Sequence, residues 1–167
     1  GTLLSGTLTP IIGASFTNTT GTTITSLTIS YTGEQWRLGT ANRLEADRLD
    51  FQYSTDATSL TSGTYVHVDE LDFTSPVTNS TAGLRDGNAD ANKTVITHTI
   101  TGLSIPAGST FFIRWTDYNV SGADDGLAVD DFSLIAGGPV GDVQAPAVAS
   151  YLPAPSSEGV GGGTKPS

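Results

Sequence analysis

The 167-residue chain is long enough for one domain with a real core and a tail. Its seven basic residues stand against seventeen acidic ones, a net charge of −10, which leaves no basic patch for nucleic acid. It has no cysteine, so disulfides and thiolate metal sites are excluded, and no apolar run is long enough to span a membrane.

Charged residues are only 14% of the chain, so its polarity comes from Thr, Ser, Asn and Gly, residues that suit strands and turns better than helices. The sequence opens abruptly at "GTLLSG", without Met or a signal peptide, and reads as a mature or excised piece of a longer protein.

In chain order the apolar pattern has a period of two. The first run is "IGASFTN". In "TITSLTISY", Leu27, Ile29 and Tyr31 fall on one face and Ser26, Thr28 and Ser30 on the other; "LDFQYS" places Leu49, Phe51 and Tyr53 likewise. "YVHV", "TVITHTI", "STFFIRWTDY" and "GLAVDDFSLI" follow, each short, β-branched or aromatic, and bounded by turn residues. No segment carries a helical stripe. Seven or eight such runs predict an all-β fold, an antiparallel two-sheet sandwich of jelly-roll type. "TSPVTNSTAGLRDGNADANK" interrupts the rhythm as one long irregular loop. From Gly137 to Ser167 the chain turns rich in Pro and Gly, so the expected organisation is a sandwich module over 1–136 and a linker or tail over 137–167.

The stretch "WTDYNVSGADDGLAVDDF" gathers five aspartates. Asp117, Asn119, Ser121, Gly122 and Asp125 occupy positions one, three, five, six and nine of a calcium-type loop, but the twelfth position is Ala128 rather than Glu. A second run, "DGNADAN", alternates Asp86, Asn88 and Asp90 with small residues. Oxygen-rich loops of this kind suit Ca2+, which accepts six to eight oxygens in flexible geometry, better than Mg2+. The competing reading is that both are turns, since Asp, Asn and Gly are common turn formers. Strict alternation through "LAVDDFSLI" sets Asp130 beside Phe132 and Leu134, and Asp131 beside Leu127 and Val129. One of the two carboxylates is therefore expected on a core-facing edge, where it needs a metal or an arginine. Arg114 and Arg37 are the competing partners, and pairing would account for one carboxylate but not five. The expected metal ligands are Asp117, Asn119, Asp124, Asp125 and Asp130, with Asp86, Asn88 and Asp90 as a second group.

Trp36 in "GEQWRLG" and Tyr118 in the acidic loop are the aromatics best placed for exposure, and so for stacking on sugar rings; Tyr53 and Trp115 alternate with core residues. His98 shares a face with Ile96 and Ile100 and reads as a core histidine. No Gly-x-Ser-x-Gly elbow, His-Glu-x-x-His or Cys nucleophile is present, and the expectation is that the chain is not an enzyme.

Three blocks, "FTNTTGTTITSLTISYTGEQWRLG", "LDFQYSTDATSL" and "IPAGSTFFIRWTDYNVSGADDGLAVDDFSLI", together resemble a β-sandwich accessory module of bacterial secreted multidomain proteins, found beside extracellular nucleases and phosphoesterases. The ending "DDFSL" is similar to the last strand of jelly-roll carbohydrate-binding and adhesion domains, a resemblance that implies a structural calcium on Asp130. The tail "DVQAPAVASYLPAPSSEGV" resembles the opening of a bacterial Ig-like repeat. The expected function is a calcium-stabilised extracellular or cell-surface module that binds a glycan or surface polymer through Trp36 and Tyr118. The alternative is a spacer or fibre subunit that pairs with neighbours through its edge strands.

Overall fold

In the computed structural model, which describes residues 9–118 and 120–138, nine strands run as β1 Ile11–Thr17, β2 Ile24–Leu38, β3 Arg48–Ser54, β4 Val66–His67, β5 Phe73–Thr74, β6 Gly83–Leu84, β7 Lys93–Ile105, β8 Thr110–Tyr118 and β9 Gly126–Gly137. The helical turns among the described residues are two three-residue 3-10 turns, Asp69–Leu71 and Asp90–Asn92. One sheet has the order β1-β8-β3-β4, with β5 also on β3; in the other, β2 is central, with β7 and β6 along one side and β9 along the other. All pairings are antiparallel, and the chain crosses repeatedly between the sheets, as in a jelly roll.

Alternation builds the core. Leu27, Ile29 and Tyr31 of β2 face Leu49 and Phe51 of β3 and Phe111, Ile113 and Trp115 of β8, all buried. Tyr31 and Phe51 each meet the Trp115 ring edge-on at 5.2 Å. The Tyr31 hydroxyl donates to the Leu71 carbonyl at 2.6 Å, and burial pushes its titration far above the usual tyrosine range. Strand β2 continues past Tyr31 to Leu38, beyond the alternating run, because Gly33 leaves room for Phe73: a Cβ there would overlap the ring.

The final strand departs from strict alternation. Ser30 pairs with Ser133 and Thr32 with Asp130, so Asp131 and Phe132 together oppose the single residue Tyr31. Asp131 adopts φ 52°, the left-handed conformation of a bulge residue. This extra residue switches the parity of the strand. Leu127 and Val129 before it, and Leu134 and Ala136 after it, all pack on the core, while both Asp130 and Asp131 remain exposed. The expectation that one of them must face the core is therefore corrected.

Gly137 and Gly138 apart, the predicted tail lies outside the described residues, as does Asn119.

Candidate functional site

At one end of the sandwich the inward positions turn polar. Following β2 inward, Leu27, Ile29, Tyr31 and Gly33 lead to Gln35; following β8, Ile113 and Trp115 lead to Asp117; stepping back from β3, Phe51 and Leu49 lead to Asp47. The last layer between the sheets is thus made of side chains that must find polar partners.

Arg43 supplies some of them. Its Nη1 donates to Asp47 Oδ2 and, at 2.7 Å, to Asp125 Oδ1, with all three side chains essentially closed to solvent. Asp125 also accepts from Gln35 Nε2 at 2.7 Å and from the Gly39 amide at 2.8 Å, while its own amide donates to Asp47 Oδ2. Gln35 in turn clamps Val77 in both directions, accepting from its amide at 2.9 Å and donating to its carbonyl at 2.8 Å. Gly39 is required where it stands, since a Cβ there would overlap the carbonyl oxygens of Ala123 and Asp124. The network ties β2, the 39–47 segment, the irregular 74–92 strap and the β8–β9 loop into one knot.

Among the described residues its charges do not balance. Asp47 and Asp125 share one guanidinium, that of Arg43, and no ion pair among the described residues involves Asp117 or Asp124. Oδ1 of Asp47 is buried without a hydrogen-bond partner. Burial raises the pKa of Asp117, and the charges of Asp124 and Asp47 raise it further. Asp47 is also raised, by burial first, against the lowering effects of the Asp125 amide and Arg43. Beside the knot, Thr40, Asn42, Arg43, Leu44, Val120 and Ser121 line an open cleft of about 360 Å³.

The predicted residues are dispersed. Asp117, Asp124 and Asp125 belong to this end. Asp125 spends its oxygens on Arg43, Gln35 and Gly39. Asp130 is exposed, and its Oδ1 accepts from the Asp131 amide at 2.8 Å. Asp86, Asn88 and Asp90 are exposed members of a turn closed from within: Asp86 Oδ1 accepts from the Asn88 amide at 3.1 Å, and Asn92 Nδ2 donates to the Asp86 carbonyl at 2.8 Å. Asp90 lies 3.5 Å from Lys93. Neither Arg114 nor Arg37 pairs with the acidic loop; Arg114 lies on the outer face against Gln52 and the Tyr65 ring.

The aromatics Trp36 and Tyr118 are both partly exposed, at 41% and 39%, but do not form one platform. Trp36 lies on the outer face of the β2 sheet, its Nε1 donating to Glu34 at 2.8 Å and its ring against Gly87. Tyr118 lies on the outer face of the opposite sheet, under the Arg48 guanidinium at 4.5 Å.

Arg43 and Asp47 were missed as site residues. Continuing the alternation of Tyr53, Phe51 and Leu49 one step backward places Asp47 inward, and Arg43 stands four residues before it. That extension was the available signal. Among the described residues no three His, Asp or Glu side chains stand close enough to share a metal as they are arranged, and no described helix is long and apolar enough to cross a membrane. No family model, curated protein or solved structure matches the chain.

Proposed function

We propose that the chain is a calcium-stabilised accessory module of a secreted protein, and that the outer face of its β2 sheet binds a glycan or cell-surface polymer. The observation that carries this reading is the position of Trp36 at the end of a row of outward hydroxyls, with the Glu34 carboxylate between Thr32 and the indole. Ser26, Thr28, Ser30 and Thr32 point outward along β2; their cross-strand neighbours include Thr97, Thr99 and Thr101 on β7 and Ser133 on β9. Thr28 bonds Thr99 at 2.9 Å and Ser30 bonds Thr97 at 2.8 Å, which holds the hydroxyls in register. From Ser26 to Trp36 the row extends roughly 33 Å at about 3.3 Å per residue. A row of hydroxyls that ends in a carboxylate and an indole offers polar partners for the hydroxyl edges of a sugar polymer and an apolar ring for its faces.

The test is depletion from solution by insoluble cellulose, chitin and peptidoglycan in calcium. Trp36→Ala should abolish retention, whereas Tyr118→Ala, on the opposite face, should leave it unchanged. Equal retention of both variants would remove the assignment to this face.

A spacer or fibre subunit is the second reading, favoured by β7. This 13-residue strand pairs with β2 alone among the described residues and leaves its other edge open. Concentration-dependent polymerisation, without retention on any of the three polymers, would favour it.

A further inference from the structure

We propose that Asp47, Asp117 and Asp124 form a Ca2+ site between the sheets, with Asp47 Oδ1 as its innermost ligand. This rests on the calcium-stabilised reading above and replaces its expected ligands, since Asp125 is committed to Arg43 and Asp130 is exposed.

The side chain of Asp47 is 2% exposed and divides its oxygens unequally. Oδ2 takes Arg43 and the Asp125 amide, while Oδ1 has no partner among the described residues. An ionised oxygen left bare in a dry environment is costly enough that proteins normally satisfy it with a donor or a cation. Asp117 pairs across the ladder with Leu49, two residues on from Asp47, so the two carboxylates are diagonal neighbours on the inner face. Cβ atoms in that relationship stand about 7 Å apart, a span that one Ca2+ bridges with its ligand distances of about 2.4 Å. Asp124 enters from the β8–β9 loop and immediately precedes Asp125, whose amide donates to Oδ2 of Asp47.

Like charges hold these three carboxylates apart when no cation lies between them. A calcium ion would draw Asp117 and Asp124 toward Asp47. With Asp47 offering Oδ1 alone, the three carboxylates supply up to five oxygens, and the flexible coordination of Ca2+ accepts water for the rest; Mg2+, with its rigid octahedron, is the poorer fit. One guanidinium and one divalent cation would then match the four aspartates nearly charge for charge.

The experiment is thermal unfolding of the full chain in chelator and then in millimolar CaCl2, with MgCl2 as control, beside Tb3+ luminescence titration for stoichiometry. Wild type should gain a rise in Tm on the order of 8 °C at one hundred times Kd and bind one Tb3+. Asp117→Asn and Asp124→Asn should lose the calcium response. In chelator Asp117→Asn should melt higher than wild type, because it removes a repelled charge while keeping the shape, so loss of response cannot be mistaken for loss of fold. Asp86→Asn and Asp130→Asn should respond as wild type does. A calcium rise that survives Asp117→Asn, or that is lost in Asp130→Asn instead, would overturn this ligand set and leave the calcium reading standing. No rise in wild type would overturn both.

Discussion

The guanidinium of Arg43 lies 2.7 Å from Oδ1 of Asp125, 82 residues further along the chain, with both side chains closed to solvent. It joins the loop before β3 to the loop before β9 at the one end of the core where the inward side chains are polar. Removing the cation of such a pair leaves buried carboxylates with less compensation. Arg43→Met should therefore destabilise the fold by about 3–5 kcal/mol, read from urea unfolding in chelator. A loss under 1 kcal/mol would mean that the carboxylates are hydrated rather than paired.

Stability should vary with pH in a specific sense. Burial, as the leading cause, raises the pKa values of Asp47, Asp72 and Asp117 above the ordinary aspartate value of 3.8. A folded-state pKa above the unfolded one means that the folded chain holds more protons in the interval between them. Stability then falls as pH rises through that interval. In chelator the Tm should climb as pH is lowered from 7 toward the carboxylate range, and Asp72→Asn should flatten the climb. Asp56 works the other way: its pKa is lowered, chiefly by the Thr64 amide, so its contribution is lost only as pH drops below 3.8 toward its folded value. The expected profile is an optimum on the acid side of neutrality, and a Tm that declined steadily from pH 7 downward would contradict it.

The bulge at Asp131 is conformationally selective. At φ 52° a β-branched side chain is strained, whereas Gly is at ease. Asp131→Val should cost about 1–2 kcal/mol, and Asp131→Gly should stay near wild type despite losing its contact with the Thr32 hydroxyl at 3.2 Å. Paired denaturant melts decide this; equal losses in both variants would assign the cost to the carboxylate instead of the backbone.

Gly87 lies flat on the Trp36 indole, and a Cβ at that position would overlap the ring. Gly87→Ala should displace Trp36 while leaving the buried Trp115 untouched. The change should appear as a shift in tryptophan emission and quenching with little loss of Tm, together with weaker polymer retention if Trp36 is the stacking ring. Unchanged emission would show that the strap, not the indole, gives way.

Much of the architecture was legible from period-two patterning, because a strand buried on one face writes its burial directly into every second residue. Leu27, Ile29 and Tyr31, or Ile113 and Trp115, announced their strands and their inward faces; the exposed turn around Asp86 fits the turn-forming tendency of Asp, Asn and Gly. Composition alone, with no cysteine in the chain, removed thiolate metals as a chemistry. Local pattern failed where parity or partnership depended on distant chain. The single extra residue at Asp131 reversed the face of everything before it, and only pairing with β2 reveals a bulge. Asp47 and Arg43 acquired their importance from Asp125 and Asp117, which the sequence separates by some seventy to eighty residues and which the packing of two sheets brings to one buried layer. Trp36 and Tyr118, alike in exposure, were parted by the same packing, since each belongs to the outer face of a different sheet.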